Sequence, residues 1–371
     1  MFTESHYVPA IKWKRGERIA LENLSTEQLE RITPLIEIQP IQYDHKKKRF
    51  KKTIDQHLHQ IGKELSTFWS QNRPVFVDAH TLFDDSRIDQ EITLNNGQSP
   101  LEFISDDIES NNITAIPVTS ILRYPSYHDA VEICLERYKR GLALRLEKSD
   151  LENFDEFQKI LADWLSSYKI SPKDVDLILD FKEIDPAGGS LLLDEISLLI
   201  TKFPYLNEWR TFTILSTSMT PNLSHLKTGS NSEIPRVEWE IYTNLLKRGL
   251  SRFPAYGDYN ISSPEWFDFD PTVMNIGANL KYTVDDRFLI FRGRGVRQHG
   301  FSQFRKLCTD AINHSEFCGQ TFSFGDDYIY KCATDSKCST GNSETWVRVC
   351  VNHHLAFVIS RLANVPVNAT V

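Results

Sequence analysis

The stretch GLALRLEKSDLENFDEFQKILADWLSSYKISPKDVDLILDF, from Gly141 to Phe181, decides the fold. It opens and closes on short apolar runs that end in polar residues, GLALRLE (141–147) and VDLILDF (175–181). Between them, NFDEFQKILADWLSSYK carries an apolar stripe at i, i+3 and i+4 spacing, the mark of an amphipathic helix. Ser149 and Asp150 are placed to start that helix, and Gly141 punctuates the helix before it. Two strands joined by a helix must run parallel, because only a long crossover returns the chain to the same edge.

The same unit recurs in both directions. Further strand-like runs are YVPAIK (7–12), ITPLIEI (32–38), PVFVDA (74–79), ITAIPVTS (113–120), RTFTILST (210–217) and RFPAYGDYN (252–260). LEFISDDIES, YHDAVEICLERYKR and SLLLDEISLLITKF supply further helices. The eight alternating units predict an α/β fold, a (β/α)8 TIM-like barrel over residues 1–267. A doubly wound open sheet competes, but no GxGxxG follows the first strand. The eighth run is the weakest, since it holds Pro254 and Gly257 and is hardly apolar. Residues 268–371 change pattern and predict a smaller α+β extension packed on the barrel. There NIGANLKYTVDDRFLIFRGRG reads as a hairpin turning at Asp285–Asp286, and GFSQFRKLCTDAI as a helix. DDYIYKCA and TWVRVCVNHHLAFVISRL read as strand-rich, with a final segment that is either helix or strand.

Composition narrows the class. A chain of 371 residues with 40% hydrophobic content can bury a large core. No apolar run reaches the roughly 18 residues of a membrane span, and MFTESHYVPA lacks the features of a secretory signal. Six cysteines with no CxxC do not make a disulfide framework, so a reducing cytoplasm is the expected location. A net charge of −8 makes nucleic acid an unlikely main partner. Two basic patches stand against that average, HKKKRFKK (45–52) and RGRGVR (292–297). Charge blocks of this kind are most often solvated.

In a barrel, the C-terminal strand ends form the mouth where ligands bind. Here those ends are polar: Lys12 and Lys14, Glu37, Asp78 with His80, Thr119 with Arg123, Arg145 with Glu147, Asp180 with Lys182, Ser216, and Asp258 with Tyr259. Glu37, Asp78, Asp180 and Asp258 are the candidate acids, suited to acid/base work or to Mg2+. Lys12, Lys14, Arg145, His80 and Glu147 are the candidate ligand-binding residues, with Arg145 fit for a bidentate grip on an anion. If the first strand persists through Trp13, Lys12 and Lys14 share a side and converge with Arg145, aided by the mobile KKKRFKK loop. The plainer reading is that these charges neutralise one another and only close the barrel top.

No GxSxG, HExxH or GxxxxGK[ST] motif is present and no HxH follows the first strand, so no catalytic activity is assigned. Five of the six cysteines fall after residue 300, beside His353 and His354. Cys332, Cys338, Cys350 and His353 have the chemistry of zinc ligands, but their spacing matches no finger or ribbon. Cys350 reads as core, and adjacent histidines on a strand point to opposite faces, so no metal site is expected.

YVPAIKWKRGE, ITPLIEI, VFVDAH and the tail GDDYIYKCA…GNSETWVRVCVNHHLAFVI together resemble the beta protein family, found in a satellite phage and in bacterial genomes. The resemblance spans nearly the whole chain. It implies a part in a phage-defence system of abortive-infection or toxin–antitoxin type. The partner it implies is a protein encoded in the same cassette, regulated by binding. An anionic small ligand at the mouth is the other binding expectation. It supplies no catalytic residues. No cofactor is expected, except Mg2+ under the alternative of a metal-assisted phosphodiesterase or related hydrolase.

Overall fold

Parallel strands that are apolar on both faces need cover on both. The computed structural model, which describes residues 2–69, 72–268, 270 and 273–365, meets that need with a closed barrel of eight parallel strands. These are β1 (Tyr7–Lys12), β2 (Leu35–Glu37), β3 (Pro74–Asp78), β4 (Thr114–Thr119), β5 (Leu142–Glu147), β6 (Val175–Glu183), β7 (Thr211–Thr217) and β8 (Ala255–Asp258). Each pairs with its neighbours in chain order, and β8 closes on β1 with Tyr256 opposite Tyr7 and Asp258 opposite Pro9. The hardly apolar eighth run is therefore a true barrel strand.

Helices α1 (Arg15–Glu22), α2 (Pro100–Ser110), α3 (Pro125–Tyr138), α4 (Phe154–Ser167), α5 (Gly189–Lys202) and α6 (Val237–Leu245) are the longer crossover helices. The start of α4 departs from the sequence expectation. Asn153 caps it by accepting from the Glu156 amide, whereas Lys148–Leu151 form a short 3-10 turn. In that turn Asp150 accepts from the Glu147 amide at 2.7 Å, so its side chain is already engaged. Gly141 does punctuate the chain. Its φ is +71°, and a Cβ there would lie 2.0 Å from the Asp174 carbonyl oxygen, so only glycine fits.

Strand alternation sorts the barrel interior. Val8, Ala10, Leu35, Phe76, Ile116, Val118, Ala143, Ile178, Leu215 and Tyr259 pack as one buried cluster, distinct from the larger core that includes residues of the surrounding helices. Two residues beyond Leu35, Phe76, Ala143 and Ile178 come Glu37, Asp78, Arg145 and Asp180, on the same inward side.

The tail holds the expected hairpin, β9 (Gly277–Thr283) and β10 (Arg287–Gly295), with Asp285 and Asp286 at its turn. A third strand, Asn231–Pro235, joins β10 from the connection between β7 and α6. After them come α7 (Phe304–Ile312), α8 (Phe324–Thr334) and α9 (Ser343–Leu362). The two strand-rich segments expected here are instead helices. Along α9, Trp346, Val349, Cys350, His353, His354, Phe357 and Val358 are all buried. A helix buried around its circumference shows no one-sided stripe, so its sequence reads as a continuous apolar run. It docks on α1, where Arg15 pairs with Glu344 at 2.8 Å and Asn352 donates to the Ala20 carbonyl at 2.9 Å.

Candidate functional site

The inward polar residues at the mouth meet around one guanidinium. Arg145 is 1% exposed, and its Nε donates to Asp180 Oδ2 at 2.9 Å. Its Nη1 donates to Asp78 Oδ2 at 2.7 Å, and its Nη2 to Glu37 Oε1 at 2.9 Å and to the Tyr259 hydroxyl at 2.6 Å. Tyr259 in turn donates to Asp180 Oδ2 at 2.5 Å. Three carboxylates from β2, β3 and β6 thus face one cation from β5. Burial alone would raise the carboxyl of Asp78, but Arg145 and Arg123 override it and hold it below the usual range. Asp180 behaves likewise: burial pushes it up, and Lys182 and Arg145 bring it below its ordinary value. Burial works against the charge of Arg145 as well, yet Tyr259 and the three acids keep it firmly protonated.

Beyond this layer lies a polar cleft of about 710 Å3, lined among others by His80, Asp84, Arg123, Glu147, Lys182 and Trp266. Lys182 sits at an irregularity in the β6–β7 pairing with a left-handed φ of 53°, a strained geometry for a lysine. Its Nζ reaches Glu147 at 2.9 Å and Asp180 at 3.5 Å. The backbone amide of His80 donates to Asp78 Oδ1 at 3.0 Å. Burial, then the charge of Arg123, lowers the His80 imidazole to about 4, so it is neutral. Burial, then the charge of Glu37, raises Asp84 to about 6. Arg123 Nε, His80 Nδ1 and the Tyr124 hydroxyl are buried without a hydrogen-bond partner. Orphaned polar atoms beside a cleft are the places where a ligand or ordered water is owed a contact.

The structure thus brings Glu37, Asp78, Arg145, Asp180, His80 and Glu147 to one end of the barrel, with Lys12 opposite Glu37 in the β1–β2 register, and separates Lys14 and Asp258 from them. Lys12 Nζ is held by the carbonyls of Ser263 and Glu265 at 2.8 and 3.0 Å, where it fastens the segment after β8. Lys14 lies past the end of β1, at a turn in which its amide donates to the Lys12 carbonyl at 2.6 Å. Strand one therefore does not persist through Trp13. Asp258 has the opposite parity to Tyr259 and faces outward. It accepts from Tyr7 at 2.5 Å, Tyr256 at 3.0 Å and the Asn260 amide at 2.9 Å, and lies 2.9 Å from His354 Nε2. Nor is KKKRFKK a simple loop, since Tyr43–Asp44 and Arg49–Phe50 pair as a short hairpin.

His353 and His354 both serve the packing of α9. His353 Nδ1 lies 2.9 Å from Asp326, and its Nε2 lies 2.9 Å from the Thr283 carbonyl. His354 Nδ1 meets the Thr283 hydroxyl at 2.8 Å. On a helix, neighbours are not forced to opposite faces, so both reach Thr283. Among the described residues, no group of three or more His, Cys, Asp or Glu side chains is arranged to hold a metal. Sequence reasoning missed Asp84 and Trp266. Asp84 ends a short 3-10 helix, His80–Asp84, and Trp266 lies in the irregular segment after β8, so neither is marked by a strand or α-helix period.

A family model described as Beta protein matches residues 7–360, from the first residue of β1 into the last turn of α9. The chain belongs to the Beta protein family. The membership that the four quoted segments implied is therefore shown. Among curated proteins the chain is similar to Protein beta of Enterobacteria phage P4, with 22% identity over 365 residues, 95% of this chain and 93% of that protein. The barrel and the helical tail both fall inside the matched span of the Beta protein family.

Proposed function

We propose that this Beta protein family member is a cytoplasmic component of a phage-defence pair of abortive-infection or toxin–antitoxin type. In this reading it regulates a partner effector by binding it, or a small phosphorylated ligand, at the barrel mouth. The family resemblance supplies the defence context. The observation that carries the binding reading is the Arg145 network. Glu37, Asp78 and Asp180 would be the acids of a hydrolase, but their inward oxygens already accept from one guanidinium. A Mg2+ ion would have to compete with Arg145 for Glu37 Oε1, Asp78 Oδ2 and Asp180 Oδ2, and of these three carboxylates only Glu37 keeps an oxygen, Oε2, without a hydrogen-bond partner. That favours recognition over a metal-assisted hydrolase. What remains accessible is a polar cleft whose Arg123 has an unpartnered Nε, suited to an acidic side chain or a phosphate.

Calorimetric titration of the purified chain with the proteins encoded by its flanking genes, and with inorganic phosphate, tests this reading. A saturable complex that weakens with salt and is lost in a folded Arg123→Glu variant is expected. No complex with any of these, or one indifferent to Arg123→Glu, would overturn the reading.

A further inference from the structure

The second basic patch, RGRGVR, is not used by the mouth. It lies at the end of β10, beside a separate cleft of about 480 Å3 lined by Arg292, Gly293, Arg294, His299, Lys306 and Asp310, among others. This cleft shares no lining residue with the one at the mouth. We propose that it is a second binding site, for a phosphate-bearing small molecule of mononucleotide size.

Arg292 and Arg294 lie where the β9–β10 pairing becomes irregular, and both line the cleft. Gly293 between them admits a neighbour from the α7 segment, because a Cβ there would lie 2.4 Å from Gln303 Oε1. That oxygen accepts from the Arg294 amide at 2.7 Å, while Gln303 Nε2 donates to the Gly300 carbonyl at 2.7 Å. The two bonds fix the 300–303 turn against the strand, with His299 and Ser302 on the cleft wall. The wall holds three arginine or lysine side chains against one acid, Asp310, which is paired with Lys306 at 2.9 Å. In a chain of net charge −8, this local excess is a departure that calls for an anion.

Arg292 makes the case sharper. Its Nε and Nη1 are buried and have no hydrogen-bond partner, so two donors of a charged group are removed from water without compensation. A phosphate presents several acceptor oxygens in the geometry a guanidinium fork matches. The volume exceeds what a bare phosphate fills and lies in the range of small-molecule sites. The site is independent of the mouth.

The test is equilibrium binding of ADP, pyrophosphate and adenosine to the full chain, with a single-stranded oligonucleotide as a separate arm. ADP and pyrophosphate should bind saturably and compete with each other, and adenosine should not bind. Arg292→Gln should weaken ADP by about tenfold or more, the loss of a charge-assisted pair. Arg294→Gln, at an exposed position that does not threaten folding, should weaken it in the same direction. Lys159→Gln, exposed on α4 and lining neither cleft, should leave binding unchanged. Absence of saturable ADP binding, or equal binding by both arginine variants and wild type, would overturn the proposal. So would oligonucleotide binding that ADP cannot displace, which would make the patch a nucleic-acid surface instead.

Discussion

Replacing Arg145 with methionine tests how the mouth is held together. The side chain is 1% exposed and donates to Glu37, Asp78 and Asp180. Methionine keeps much of the volume but leaves three carboxylates without their cation. Breaking a buried pair by removing one partner costs about 3–5 kcal/mol. The effect carries a pH signature. In the wild type, Asp78 and Asp180 lie below their ordinary pKa. Their stabilising contribution is therefore present above the unfolded value of about 3.9 and lost as pH falls through the folded values. In the variant, burial acts with less opposition, so the carboxyls move above their unfolded pKa and bind protons more tightly when folded. Stability of Arg145→Met should then rise, relative to wild type, as pH falls from 8 towards 5. Urea unfolding should give a loss of about 3–5 kcal/mol at pH 8, smaller by about 1 kcal/mol or more at pH 5. A loss under about 1 kcal/mol at pH 8, or one equal at both pH values, would refute the network as described.

Two further outcomes follow from buried charges elsewhere. Glu17 in α1 is raised by burial, against the opposing charge of Lys14, from 4.5 to about 7. The folded state then binds its proton more tightly, so stability falls as pH rises across that window. Glu17→Gln should be more stable than wild type by about 3 kcal/mol at pH 8, at about 1.36 kcal/mol per pKa unit, and nearly equal to it at pH 4.5. Unfolding curves at the two pH values check this. Asp326→Asn weakens the anchor that Asp326 provides to His353 on α9 at 2.9 Å. It should destabilise the fold by about 3 kcal/mol, with hydrogen exchange accelerating first in α8 and α9.

The barrel was legible because short apolar runs and striped helices differ in period, and that contrast survives in a single sequence. Its polar layer was legible too: Leu35 and Glu37, Phe76 and Asp78, Ala143 and Arg145, and Ile178 and Asp180 share a parity. What parity could not show is that Arg145 would meet all three acids, since that depends on the barrel's closure. Asp258 was misplaced because the short eighth run carries little alternation, and only the pairing with β1 fixes which side it faces. The eight-residue window DDYIYKCA is too short to display the one-sided stripe of α8, on which Asp326, Ile329 and Cys332 are buried; the α9 segment misled for a different reason. Burial on all sides erases the stripe by which helices are recognised, and Val349, Val351 and Val358 then look like strand residues.

Co-expression with each protein encoded beside its gene, scored by growth and by phage plating, tests the central claim most directly. If the chain restrains a partner through the mouth, wild type should relieve the growth defect of one of those proteins, and a folded Arg123→Glu variant should not. Relief by both forms alike would move the interaction away from the mouth. Relief by neither would contradict the account.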